Sequence, residues 1–183
     1  MEQALDAGLP AVQFRDRDLS DAEAEAYLEA LRRATRRRGA LLIVNGRPAL
    51  ARAVGADALH LPEGLPRPST EQWSGPLTVA AHDDRGLARA GQLNAAFALL
   101  SPLFATRTHP EAAPLGPERF SELAARSPVP PLALGGITAD NAHLARQAGA
   151  RGVACMDAIL GAPDVPGAVA GFLDALGSSV GSG

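Results

Sequence analysis

Apolar residues in this chain fall into short runs separated by longer amphipathic stretches. The runs are Ala11–Asp16, Leu41–Asn45, Ala58–Leu61, Leu77–His82, Phe97–Ser101, Leu132–Gly135 and Gly152–Met156. Most are apolar at successive positions rather than at alternate ones, which is the pattern of parallel strands covered on both faces. Between them the spacing predicts helices over 21–38, 48–54, 84–93, 117–126, 139–148 and 164–176. Ser20 and Glu23 read as a capping box at the start of the first, and Gly39 ends it. Thr138 is placed to cap the fifth, and Gly149 to stop it. Strand and helix alternate without hairpin signals, so the sheet is parallel. A (β/α)-barrel and an open doubly wound sheet both fit this rhythm. No GxGxxG fingerprint follows the first strand, which weakens a dinucleotide reading. In either architecture function sits at the C-terminal ends of the strands.

Composition adds bounds rather than chemistry. A length of 183 residues with 46% hydrophobic content fits one folded domain, read here as 1–176, with a disordered tail at 177–183. The net charge of -3 gives no support to nucleic-acid or membrane binding. The basic run Arg32, Arg33, Arg36, Arg37, Arg38 lies at a helix C-terminus, where cations suit the dipole. The single cysteine, Cys155, excludes an internal disulfide and lies in an apolar stretch. The first residues lack a basic region followed by an apolar run, and no segment is long enough to span a membrane. A cytoplasmic protein is expected.

The strand ends carry the candidate chemistry. Gln13, Arg15 and Arg17 close the first run, where two cations and an amide suit an anionic ligand. Asn45 offers an amide to a heteroaromatic ring, and Arg47 follows within reach of a phosphate. His60 and His82 each end a further strand, where a lone histidine is more often structural than catalytic. The long segment after Phe97–Ser101 gathers Ser101, Thr106, Arg107, Thr108 and His109, and reads as a lid over an anion. Gly135 and Gly136 precede a helix, so their amides can approach a phosphate, with Met156 and Asp157 as the second half of that site. No spacing of His, Cys, Asp and Glu suggests a metal site.

These segments resemble the thiamine phosphate synthase and thiazole tautomerase family, including the synthase-like domains found fused to Nudix hydrolases. The family's Gln-Leu-Arg-x-Lys is similar to Gln13-Phe14-Arg15-Asp16-Arg17. Its Gly-Ala-Asp-Gly-Val-His-Leu matches Gly55–Leu61, and its lid pattern resembles Ser101 through His109. Its Ile-Gly-Gly-Ile and Gly-Val-Ala-Val-x-Ser-Ala-Ile resemble Leu134–Ile137 and Gly152–Ile159. The resemblance implies a TIM (β/α)8-type barrel, with seven strands here and the first strand missing. It implies two chemistries. Synthases join a pyrimidine pyrophosphate to a thiazole phosphate with the help of Mg²⁺. Tautomerases aromatise a thiazole carboxylate phosphate by proton transfer without a metal.

Departures from the family pattern divide these readings. Gly46 stands where synthases carry a metal-binding aspartate, and Glu63 is the acid left after His60. Pro102 stands where the tautomerases carry their catalytic histidine, so His82 or His109 would have to move the proton. Asp157 replaces a serine beside the phosphate loop. The expectation is a metal-independent, tautomerase-like enzyme binding a small phosphorylated thiazole. The alternatives are a synthase, the one case in which Mg²⁺ is expected, and a non-catalytic phosphate-ligand binding domain. Seven strands leave two barrel edges, which a second copy of the chain would be suited to cover.

Overall fold

A computed structural model describes residues 1–106 and 110–177. Seven strands form one all-parallel sheet in sequence order: β1 (Ala11–Phe14), β2 (Leu41–Asn45), β3 (Ala58–Leu61), β4 (Leu77–Ala81), β5 (Phe97–Leu100), β6 (Pro131–Leu134) and β7 (Gly152–Ala154). The sheet curls into an open half-barrel, so the seven strands expected from the sequence are the seven present. Eight helices accompany them: α1 (Glu2–Asp6), α2 (Asp21–Arg37), α3 (Pro48–Ala53), α4 (Asp84–Gln92), α5 (Gly116–Arg126), α6 (Ala142–Gln147), α7 (Asp157–Leu160) and α8 (Val165–Gly177).

Register assigns each strand residue to a face, because paired residues in adjacent parallel strands project to the same side. Val44, Leu59 and Leu77 are in register, as are Leu61, Val79 and Ala98. They belong to the outer face, which is buried under the helices together with Leu42, Leu100 and Ala133. Phe120 and Leu123 of α5 and Leu28 of α2 seal this layer. The inner face carries Gln13, Ile43, Asn45, His60, Thr78, Leu99 and Leu132. It is only partly shielded: Leu41, at its lower end, is 53% exposed. Among the described residues β1 and β7 each pair with one neighbour, while α1 and α8 touch across the interval between them.

Asp57 explains why an acid stands in the Gly-Ala-Asp segment. Its carboxylate accepts two hydrogen bonds from Arg32 of α2, at 2.5 and 3.1 Å, and one from the Leu42 amide at 2.7 Å. One side chain therefore pins α2 and β2 to the turn before β3. Burial pushes its carboxyl up, but the Arg32 and Leu42 hydrogen bonds, with the charges of Arg32 and Arg36, hold it below the usual carboxylate range.

The helices depart from the sequence reading at a few ends. The Ser20–Glu23 capping box is present. Helix α6 starts at Ala142 instead of 139, because Asn141, not Thr138, organises the entry. Its Oδ1 accepts the Thr138 amide at 2.8 Å and its Nδ2 donates to the Gly136 carbonyl at 2.9 Å. The segments at Glu2–Asp6 and Asp157–Leu160 are short helices that periodicity did not reveal, each having too few residues to show it. Gly177, assigned to the tail, ends α8; residues 178–183 lie outside the described residues.

Candidate functional site at the strand ends

A polar row crosses the inner face, from near the C-terminal ends of β1, β2 and β3 to the start of β4. Asn45 Nδ2 donates to Gln13 Oε1 at 3.2 Å. Asn45 pairs in register with His60, and His60 with Thr78. His60 Nδ1 lies 2.9 Å from Thr78 Oγ1, both side chains being buried. Burial, reinforced by the positive charges of Arg15 and Arg89, pushes the His60 imidazole down to about 4, so it is neutral at physiological pH. The amide pair shares one hydrogen bond and keeps a complementary edge: Gln13 Nε2 remains a donor and Asn45 Oδ1 an acceptor. Sequence reasoning named Gln13 and Asn45 but treated His60 as an isolated histidine and passed over Thr78. Register joins Asn45, His60 and Thr78, and the side-chain hydrogen bond from Asn45 adds Gln13.

The second cluster joins the ends of β3, β4 and β5. His82 Nδ1 is 2.7 Å from the Ser101 carbonyl, which can only accept, so Nδ1 carries the proton. Ser101 Oγ is 3.3 Å from the same nitrogen. Nε2 lies 3.8 Å from Glu63 Oε2, and the Glu63 side chain is 79% exposed. The imidazole is thus held at one nitrogen while the other is available for hydrogen bonding or proton exchange. His82 and Ser101, separate candidates in the sequence, form one unit. Glu63, noted there only as a residual acid, is its third member.

The lid is anchored at both roots. Leu103 and Phe104 donate to the carbonyls of Leu134 and Gly135, at 2.8 and 3.0 Å, and Leu115 and Gly116 donate back to Pro102 and Leu103. Leu103 is fully buried. This seating dictates the glycine pair. A Cβ at Gly135 would stand 2.7 Å from Pro102 Cβ, and one at Gly136 would stand 2.3 Å from the Ala105 carbonyl oxygen. Both glycines have positive φ, +96° and +63°. The sequence assigned them to a phosphate, but their immediate steric reason is the lid backbone. Among the described residues the amides of Gly136 and Ile137 donate no hydrogen bond to a backbone carbonyl. Thr106 is half-buried. Arg107, Thr108 and His109 lie outside the described residues.

Arg47 has partners within the protein: its guanidinium donates to Asp21 Oδ1 at 2.9 Å and to the carbonyls of Asp16 and Leu19 at 3.1 and 2.6 Å. With 18% of its side chain exposed, it is a strut for the β1–α2 turn. Met156 is the N-cap of α7 and Asp157 its first residue, and both are exposed. Arg15 and Arg17 are exposed at the end of β1, and neither has an ion pair with a described residue. Cys155 is half-buried, and burial pushes its thiol up to about 11, which fits the inert thiol expected.

A family model described as thiamine monophosphate synthase matches residues 1–159. The chain belongs to that family. It is 36% identical over 157 residues to a putative thiamine-phosphate synthase 2 of Aquifex aeolicus, covering 84% of each chain. It is 35% identical to a thiamine-phosphate synthase of Roseiflexus castenholzii, over 93% of this chain and 77% of the other. Among solved structures, a thiamine phosphate pyrophosphorylase from Pyrococcus furiosus superposes with a TM-score of 0.88 at 26% identity, over 98% of this chain and 89% of the other. These relatives carry synthase names, so they favour the synthase alternative over the tautomerase-like reading expected first. The TIM-barrel expectation agrees with the fold of the Pyrococcus structure. Among the described residues no helix is long and apolar enough to cross a membrane.

The family implies Mg²⁺, which takes oxygen ligands and usually one or two carboxylates. The strand ends do not fit that demand. Asp16 closes its own turn by accepting the Asp18 and Leu19 amides at 2.9 Å each. Asp21 is paired with Arg47, and Asp83 caps α4 by accepting the Gly86 amide at 2.8 Å. No group of three His, Cys, Asp or Glu able to hold a metal occurs among the described residues.

Proposed function

We propose that this protein is a thiamine phosphate synthase, joining an aminopyrimidine methyl pyrophosphate to a thiazole phosphate. The observation that carries the reading is the Gln13–Asn45 amide pair on the inner face at the mouth of the half-barrel. Its free donor and acceptor complement a ring that presents a nitrogen beside an amino group, as an aminopyrimidine does. Family membership and the synthase names of the relatives support the same choice.

The reaction breaks the bond between the pyrimidine methylene and the pyrophosphate oxygen. Pyrophosphate leaves with the electron pair, and the thiazole nitrogen supplies the pair for the new C–N bond. The protein must hold the two rings face to face and stabilise the charge on the departing oxygens. Gln13 and Asn45 orient the pyrimidine. Arg15 and Arg17, in the segment that follows β1, meet its pyrophosphate. Ser101, Thr106, Arg107, Thr108 and the amides of Gly136 and Ile137 hold the thiazole phosphate. No proton leaves carbon in this step, so His82 is not needed as a base; with Nδ1 on the Ser101 carbonyl, its imidazolium form donates through Nε2 to phosphate oxygens. The buried neutral His60 supports the amide pair from below without adding charge.

A coupled assay for thiamine phosphate, with both substrates supplied, tests the reading. Wild-type enzyme forms product, and Asn45→Ala raises KM for the pyrimidine substrate with a smaller effect on KM for the thiazole. An N45A effect confined to the thiazole would place the pyrimidine elsewhere.

A further inference from the structure

We infer that the strand-end mouth holds its diphosphate group directly through Arg15 and Arg17, with no divalent cation between protein and pyrophosphate. The inference rests on the synthase reading and adds a departure from the chemistry that the family implies.

Three observations carry it. Four carboxylates around the mouth already serve the fold: Asp16 Oδ1 its turn, Asp21 Oδ1 Arg47, Asp83 Oδ1 the α4 amide, and Asp84 both Arg119 and Arg126 at 3.2 and 3.1 Å. Asp18, Glu63, Asp140 and Asp157 lie dispersed in the segments after β1, β3, β6 and β7, and among the described residues no three of His, Cys, Asp and Glu gather to hold a metal. The residue after Asn45, the natural place for a second carboxylate beside the amide pair, is Gly46. Its amide donates to the His60 carbonyl at 2.9 Å and its φ is +68°.

Against this shortage stand two cations. Arg15 follows β1 directly and is exposed, and it lies near enough to His60 for its charge to act on that imidazole. Arg17 follows two residues later. Neither has a carboxylate partner among the described residues. Together they bring two positive charges, equal to the charge of one Mg²⁺. Guanidinium groups bind phosphate oxygens in a fixed bidentate fork, remain charged at every working pH, and need no carboxylate to hold them in place.

Titration calorimetry of the full chain with inorganic pyrophosphate, in EDTA and in Mg²⁺ buffer, tests the inference. The expected Kd changes by less than about threefold between the two buffers. Arg15→Ala and Arg17→Ala each weaken binding by about tenfold or more in both. A wild-type Kd that rises about tenfold or more in EDTA, with that rise abolished in Glu63→Gln, overturns the inference and makes Glu63 the metal carrier. That result leaves the synthase reading standing. No pyrophosphate binding in either buffer overturns both. Circular dichroism of each variant confirms that lost binding is not lost folding.

Discussion

Replacing His60 by Gln probes the floor of the mouth through its acid stability. In the folded chain the imidazole is pushed from its usual 6.5 to about 4, first by burial and then by the charges of Arg15 and Arg89. In the unfolded chain it titrates normally. Between these values the unfolded state binds more protons, so stability is complete above about 6.5 and falls as pH drops toward 4. A shift of about 2.5 pH units corresponds to a loss of about 3 kcal/mol, large against a total stability of roughly 5–15 kcal/mol. Gln keeps a polar group beside Thr78 Oγ1 and removes the titration. Urea denaturation of both proteins at several pH values between 4 and 7.5 measures the effect. Carboxylates common to both proteins cancel in the difference. The wild type loses about 3 kcal/mol more than His60→Gln over that range. Parallel curves would refute the reasoning, because they would mean that His60 is already protonatable in the folded protein.

Asp57→Ala removes the acceptor for Arg32 and for the Leu42 amide. With the Asp57 side chain 30% exposed, the expected cost is about 2–3 kcal/mol in a denaturation experiment. Its depressed carboxyl contributes stability above the unfolded value of about 3.9 that is lost as pH falls through the lower folded value, and D57A lacks this acid-sensitive part. Gly136→Ala sets a methyl 2.3 Å from the Ala105 oxygen at φ +63°, so it unseats the lid and costs about 2 kcal/mol or more. Its KM for the thiazole phosphate rises more than that for the pyrimidine. Arg47→Met loosens the β1–α2 turn by about 1–3 kcal/mol, read as a lower Tm, and leaves the Kd for pyrophosphate unchanged.

Much of the fold was legible because its signals are local. Successive apolar residues marked the buried parallel strands, and Ser20 with Glu23 marked the start of α2. The misplaced elements lack such signals. α1 and α7 are shorter than two turns, and the start of α6 depends on Asn141 reaching the Gly136 carbonyl. The site was legible in its residue types and much less in their partners. Gln13, Asn45, His82 and Ser101 were visible as polar residues at strand ends. The His60–Thr78 contact depends on register between strands, and the His82–Ser101–Glu63 unit on the meeting of three strand ends. A loop arginine such as Arg47 looks the same in sequence whether it binds an anion or two carbonyls. Gly135 and Gly136 show the same limit: the sequence revealed that a side chain is forbidden there, and only the packing shows that the lid is what forbids it.

The central claim is that this half-barrel couples a pyrimidine to a thiazole. Single-turnover product analysis, with the aminopyrimidine methyl pyrophosphate and the thiazole phosphate both supplied, tests it most directly. The expected products are thiamine phosphate and pyrophosphate in equal amounts, with product formation strongly reduced in Arg15→Ala. Intact substrates, together with aromatisation of a thiazole carboxylate phosphate by the same preparation, would contradict it.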